Sequence, residues 1–203
     1  MQIKSAEFVI SAAQPAQFPN RPIPHIVFAG KSNVGKSSLL NKLLNRKSLA
    51  KTSSTPGKTR LINFFLINDA FFFVDLPGYG FARVSKKERH SWQDLIEDYL
   101  TNHPFVAQLI LLIDIRHPLG QNDRQMLEWL HEMGYQFQVV LTKADKLNHQ
   151  ETQKQRQLLA SACGIPLEHC LVTSSEKGTG LAPLWKSIQE HISEAAHLMK
   201  EKL

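Results

Sequence analysis

The sequence is short of cysteine, of tryptophan and tyrosine, and of long apolar runs, and the first and last of these exclude whole classes of protein. Two cysteines, Cys163 and Cys170, among 203 residues cannot build a disulfide framework or a four-thiolate zinc site. Their spacing fits no redox motif, so two free thiols in a reducing compartment are expected. No apolar stretch approaches the roughly 20 residues of a membrane-spanning helix, and the N-terminus lacks a basic segment followed by an apolar one. The expectation is a soluble, unexported, cytoplasmic protein with no membrane contact. Internal repeats and low-complexity tracts are absent too. Acidic residues are the minority charge, 18 Asp plus Glu against 24 Lys plus Arg, for a formal net charge of +6. A polyanionic partner fits that balance without being required by it.

Hydrophobic residues make up 42% of the chain, enough for one full core. Residues 1–23 read as an N-terminal extension: Glu7 to Ile10 has the pattern of an edge strand, and the prolines between Gln14 and Pro24 exclude a helix. Residues 24–199 read as one domain and 200–203 as a tail. Within the domain, short apolar runs at His25 to Ala29, Leu61 to Ile67, Ala70 to Asp75, Ala107 to Asp114, Gln136 to Leu141 and Cys170 to Thr173 predict strands. Helical patterns fall at Lys36 to Arg46, Lys86 to Thr101, Gln121 to Met133, His149 to Cys163 and Leu181 to about Met199. Only Asn68-Asp69 separates the second and third runs, a spacing for an antiparallel hairpin. The alternation therefore predicts a three-layer α/β fold of the P-loop NTPase kind: a six-stranded, mainly parallel sheet with one antiparallel strand and helices on both faces.

Chemistry concentrates in the loops after the strands. Gly30, Lys31, Ser32, Asn33, Val34, Gly35, Lys36 and Ser37 fit G-x-x-x-x-G-K-[ST] between a predicted strand and a predicted helix. Backbone N–H groups there can surround a phosphate, Lys36 can reach the β- and γ-oxygens, and Ser37 can ligate Mg²⁺. Thr142, Lys143, Ala144 and Asp145 form an [NT]-K-x-D motif. An ionised carboxylate at Asp145 can accept from both N1–H and the 2-amino group of guanine, a pair that adenine does not offer, while the stem of Lys143 can lie on the base. Alone, the segment could equally be a helix start capped by Asp145; its place at a later strand end favours guanine. Asp75, Leu76, Pro77 and Gly78 form D-x-x-G after an apolar strand, with Asp75 on Mg²⁺ through water and the Gly78 N–H on the γ-phosphate. Ser174, Ser175 and Glu176 occupy the position of a last base-contacting loop. Ser53 to Arg60 is polar, contains Pro56-Gly57 and reads as a mobile loop or an ordinary turn. Its P-G-x-T-R resembles the P-G-T-T-R switch of bacterial translation-type GTPases, which makes Thr59, with Thr55 second, the other Mg²⁺ ligand and adds Gly57, Lys58, Arg60 and Leu61 to the nucleotide site.

Taken in order, G-K-S-N-V-G-K-S, S-T-P-G-K-T-R, D-L-P-G-Y-G-F-A, T-K-A-D and S-S-E-K-G-T-G resemble the YihA/YsxC (EngB) family of bacterial GTP-binding proteins, in the TrmE-Era-EngA-like group, over nearly the whole chain. The resemblance implies binding of GTP and GDP, a role in assembly of the large ribosomal subunit with contact to its precursor and rRNA, a role in normal cell division and septation, and a monomer. Tyr79 stands where Ras-like enzymes place a water-orienting glutamine, so slow intrinsic hydrolysis is expected, with Lys36, Asn33 and Gly78 as the catalytic set. Asn33 either helps hold K⁺, as the equivalent residue does in some members of the group, or is a loop residue that tolerates unusual backbone angles. The other reading of the chain is an RNA-binding module in which nucleotide is structural, using Arg83, Lys86, Lys87 and Arg89 with Arg116, Arg124 and the C-terminal lysines. A P-loop ATPase or kinase would leave T-K-A-D and S-S-E without a role.

Overall fold

The computed structural model describes residues 2–47, 49–50, 61–79 and 86–201, without the side chains of 86–93 and 200. Seven strands are formed: β1 (Ala6–Ala12), β2 (His25–Gly30), β3 (Ile62–Ile67), β4 (Phe71–Asp75), β5 (Val106–Asp114), β6 (Phe137–Thr142) and β7 (Cys170–Val172). They make one sheet in the order β1-β3-β4-β2-β5-β6-β7. The five helices are α1 (Lys36–Leu43), α2 (Lys86–Asn102), α3 (Gln121–Glu132), α4 (His149–Ala162) and α5 (Leu181–Glu201). β3 is antiparallel to both of its neighbours, and every other pairing is parallel, so β3 alone runs against the rest. The strand beyond the six expected in the sheet is β1. It covers the edge of β3 but leaves Phe8 52% and Val9 47% exposed, and its register slips between Phe8 and Ile10, which blunts the open edge.

The β3–β4 hairpin forms because Asn68 and Asp69 both take positive φ, 51° and 56°, as a type I′ turn needs. The Ala70 N–H closes it on the Ile67 carbonyl at 2.9 Å. Alternation along the strands sorts the core into two layers. Val27, Ala29, Phe72, Val74, Leu109, Leu111, Val139 and Leu141 face α2, α3 and α4, whereas Ile26, Phe28, Phe71, Phe73, Ile110, Leu112 and Val140 face α1 and α5. Because the central strands are buried on both faces, their sequences read as unbroken apolar runs.

Helix α1 stops at Leu43, short of the expected Arg46. Asn45 adopts a left-handed φ of 50°, its N–H bonds the Lys42 carbonyl, and the Arg46 N–H reaches back to Asn41. This is a Schellman closure with asparagine in the usual glycine position. The Asn41 side chain then holds Ala50 through both backbone groups at 2.8 Å.

At the opposite end of the sheet from the loop motifs, His25 is fully buried. It shares a 2.7 Å hydrogen bond with the Tyr99 hydroxyl and stacks on His103 with ring centroids 4.5 Å apart. Burial, aided by the neighbouring His103, pushes its pKa down to about 3. An unfolded histidine titrates near 6.5, so between these values the unfolded chain binds the extra proton and stability falls as the pH falls. His25 should therefore cost the fold roughly 2 kcal/mol on going from pH 7 to pH 5. Urea unfolding at the two pH values checks this. His25→Gln should shrink the difference, and an unchanged pH slope in that variant would show that the residue is not its source.

Candidate functional site

The loop motifs converge at the C-terminal ends of the parallel strands, where open α/β sheets place their ligands. β2 delivers Gly30, β4 delivers Asp75, β5 delivers Asp114 and β6 delivers Thr142. The loop that follows β2 is tied down on both sides. The Tyr79 N–H bonds the Gly30 carbonyl at 3.3 Å, the Ser32 N–H bonds the Tyr79 carbonyl at 3.1 Å, and the Val34 N–H bonds the Lys31 carbonyl at 3.1 Å. Asn33 (φ 63°) and Gly35 (φ 106°) turn the chain through left-handed conformations, and Gly35 caps α1 so that the helix opens at Lys36. The first N–H groups of a helix have no intrahelical acceptor, so the opening of α1 at Lys36 offers the loop an anion site.

Lys36 Nζ is paired with Asp75 Oδ1, the two side chains being 11% and 9% exposed, and Asn63 Nδ2 stands 3.4 Å from the other carboxylate oxygen. Leu76 continues β4, its N–H on the Phe28 carbonyl at 3.0 Å, and Leu76 and Pro77 are buried. Gly78 abuts the phosphate loop so closely that a Cβ would fall 2.9 Å from Ser32 Oγ and 3.1 Å from its Cα; any side chain there would push the loop back. Tyr79 turns away from the loop. It is 5% exposed, its hydroxyl donates to Asp123 Oδ1 at 2.9 Å, and burial beside that carboxylate pushes its pKa above the ordinary phenol range. It cannot orient a water at the phosphates from this position.

The T-K-A-D segment leans on the phosphate loop. Thr142 Oγ1 donates to the Val34 carbonyl at 2.6 Å, and Lys143 Nζ donates to the Asn33 carbonyl at 2.6 Å. Lys143 has a left-handed φ of 63° and opens the short turn Ala144–Lys146. The Ala144 N–H bonds the Thr173 carbonyl at 3.1 Å, which brings the S-S-E loop alongside. Ser174 is fully buried; its hydroxyl donates to Asp145 Oδ1 at 2.7 Å and accepts the Lys177 N–H at 3.1 Å. The Ser174 hydrogen bond, and after it the Lys146 ammonium, hold the Asp145 pKa down to about 2, so the carboxylate is ionised at neutral pH. Ser175 is half-buried in the same loop, and Glu176 is exposed and ion-paired with Lys146 at 3.0 Å.

These residues pass a chemical test for guanine. Asp145 Oδ2 is buried without a hydrogen bond, the Lys146 ammonium lying 3.0 Å away outside hydrogen-bonding alignment. A buried, ionised carboxylate suits N1–H and the 2-amino group, two donors that adenine does not offer together. The test for Mg²⁺ is also met in kind. Among the described residues no three His, Cys, Asp or Glu side chains cluster as a metal cage, but Ser37, half-buried in the first turn of α1, and Asp75 offer the hard oxygen donors that Mg²⁺ takes alongside phosphates and water. Thr55, Gly57, Lys58, Thr59, Arg60 and Arg83 lie outside the described residues, as do the side chains of Lys86, Lys87 and Arg89. Leu61, at the head of β3, is half-buried, and Arg116 and Arg124 are exposed.

Sequence reasoning misses Asp114. Its carboxylate takes Arg116 Nε at 2.9 Å and Nη2 at 2.8 Å, and Lys143 Nζ at 2.9 Å. Burial works against its ionisation, but these two cations together outweigh burial and hold the pKa well below the ordinary carboxylate range. The signal is present in part: a lone acid ending an apolar strand, in register with Thr142.

A glycine-containing loop that opens a helix, joined through side chain to backbone with a T-K-A-D segment two strands away whose carboxylate is ionised, is the architecture of the P-loop GTPases, and known proteins agree. Residues 25–143 match the family described as 50S ribosome-binding GTPase. The chain is 51% identical over 171 residues to the probable GTP-binding protein EngB of Clostridium perfringens (strain 13 / Type A), covering 84% of this chain and 87% of that one. It is 47% identical over 191 residues to the protein of the same name from Alkaliphilus metalliredigens (strain QYMF), covering 94% and 92%. A crystal structure of a probable GTP-binding protein EngB superposes with a TM-score of 0.66 at 26% identity, covering 84% of this chain and 99% of that one. The chain belongs to the EngB family of GTP-binding proteins.

Proposed function

We propose that this GTPase is a slow, Mg²⁺-dependent nucleotide switch acting in assembly of the large ribosomal subunit, and that its part in cell division and septation follows from that role. Residues 24–199 are its GTP-binding domain, 1–23 an extension that adds a strand to the same sheet and 200–203 a tail; it works as a cytoplasmic monomer. The family's description as 50S ribosome-binding and the net charge of +6 support an rRNA-containing partner.

The observation that carries the partner-dependent reading is Tyr79. With its hydroxyl committed to Asp123 at 2.9 Å, the residue after Gly78 has nothing to offer an attacking water, so the group that completes the site must come from elsewhere. Lys36 leaves Asp75 to meet the phosphate oxygens, the first-turn N–H groups of α1 and the Gly78 N–H receive the charge that builds on them, and Asp145 with Lys143 fixes the base. Mg²⁺, when bound, draws negative charge away from the bridging and terminal oxygens; Ser37, Thr59 and, through water, Asp75 would hold it. K⁺ beside Asn33 would add positive charge of the kind an arginine finger supplies.

GTP turnover measured with and without large-subunit particles, in Na⁺ and in K⁺, tests the proposal. Intrinsic turnover near 10⁻⁴ to 10⁻³ per second, on the order of unassisted small GTPases, should rise with particles. Turnover indifferent to particles and to K⁺, together with RNA affinity equal in GTP and GDP, would replace the switch by a binding module in which nucleotide is structural.

A further inference from the structure

We propose that Asp114 is a positioning residue of the nucleotide site: it clamps the Lys143 ammonium against the phosphate loop and so fixes the lysine stem as a rigid platform for the base. The inference rests on the reading of Lys143 and Asp145 as the guanine-binding pair.

Lys143 carries a flexible four-carbon stem with a point charge at its end. A side chain of that kind makes a poor platform unless its far end is held. Two acceptors hold it here, the Asn33 carbonyl at 2.6 Å and Asp114 Oδ2 at 2.9 Å. The first is a loop atom whose own position depends on left-handed backbone at Asn33 (φ 63°). The second is anchored in the sheet: Asp114 ends β5 and sits in register with Thr142 of β6, which itself bonds the loop at Val34. Asp114 is oriented in turn by Arg116, through the backbone N–H at 3.1 Å and the guanidinium at 2.9 and 2.8 Å. The carboxylate therefore cannot rotate freely, and its remaining bonding capacity points at Lys143. Lys143 itself has left-handed backbone (φ 63°), and its ammonium lies between the loop carbonyl and Asp114. Sheet, loop and base platform are thereby linked through one carboxylate.

The experiment measures the GDP dissociation constant by calorimetry for Asp114→Asn, Lys143→Met and the double variant, with nucleotide-free thermal unfolding beside each. Asp114→Asn should weaken GDP about tenfold, the usual cost of losing a charge-assisted hydrogen bond. In the Lys143→Met background the same substitution should change affinity by less than about twofold, because its effect passes through the lysine. A purely structural role would weaken GDP equally in both backgrounds, and that result overturns the proposal, as does full GDP affinity in Asp114→Asn. Asp114→Ser is read by the same comparison and serves if the asparagine variant does not fold. Asp145→Asn tells failure of the guanine reading from failure of the clamp. If it leaves the GTP-over-ATP preference intact, the guanine reading itself has failed; if it abolishes the preference while Asp114→Asn does nothing, only the clamp has.

Discussion

Asp145→Asn should lower affinity for GTP by roughly 10⁴-fold while leaving the weak affinity for ATP nearly unchanged, the scale on which sites built to hydrogen-bond one partner reject another. The carboxylate presents acceptors only, and guanine presents two donors. An asparagine keeps one acceptor and turns an NH₂ toward a donor, so one favourable contact becomes a repulsion and the charge is lost as well. By the same logic the variant should prefer xanthosine triphosphate, whose 2-oxo group replaces the 2-amino group and can accept from that NH₂. Competition between the three nucleotides against a labelled GDP checks both statements, and a variant that still ranks GTP first would remove Asp145 from base recognition. Stability moves less. The folded pKa near 2 lies below the roughly 3.9 of an unfolded aspartate, so its contribution is present above about pH 4 and is lost as the pH falls through 2; its size, at most about 2.6 kcal/mol, is well short of the roughly 5.5 kcal/mol in a 10⁴-fold affinity change. The binding effect therefore dominates the variant's phenotype at neutral pH.

Much of this arrangement is legible in the amino-acid sequence, and the reasons are local. Strand ends, the Asn68-Asp69 turn and the phosphate loop each have a residue-by-residue signature in backbone sterics or hydrogen bonding. The T-K-A-D segment is ambiguous alone and resolved by its place after a strand, because position at the C-terminal edge of a parallel sheet is what gives such a loop access to ligand. Three features stay hidden. Asp114 acts through contacts to Arg116, close in sequence, and Lys143, distant in it; the burial of Tyr79 depends on Asp123 of α3; and the early end of α1 depends on an asparagine in a conformation that glycine usually takes. The first two arise from tertiary partners, which periodicity and spacing do not encode, and the third from a local left-handed conformation that asparagine takes only sometimes. β1 is legible as a strand and less so as part of the sheet, since its exposed Phe8 and Val9 blur the alternation that marks a half-buried edge.

Lys36→Ala should combine the largest loss of turnover with a clear loss of stability, and the two can be separated. The Lys36–Asp75 pair is nearly buried. Removing the cation leaves a buried carboxylate whose other described neighbour is Asn63 Nδ2 at 3.4 Å, a situation that costs roughly 3 kcal/mol and should lower the unfolding midpoint by about 10 °C in a chain of this size. Catalytically, deletion of a donor aimed at developing phosphate charge should cut turnover by roughly 10³-fold. Destabilisation cannot imitate that figure, since a fold weakened by about 3 kcal/mol from an ordinary 5–15 kcal/mol remains mostly native. Lys36→Met combined with Asp75→Asn supplies the control. Exchanging a buried ion pair for a neutral pair of similar volume is close to neutral for stability, so the midpoint should recover most of its loss, while turnover, with the Asp75 carboxylate gone as well, should be no higher than in the single variant. Turnover within tenfold of the parent in Lys36→Ala would mean that the lysine serves the fold by neutralising Asp75 and does not reach the phosphates. Recovery of the midpoint in the double variant, beside a roughly 10³-fold loss of turnover in Lys36→Ala, assigns it both tasks in sequence, first as the partner of Asp75 and then, once nucleotide arrives, as the partner of the phosphate oxygens.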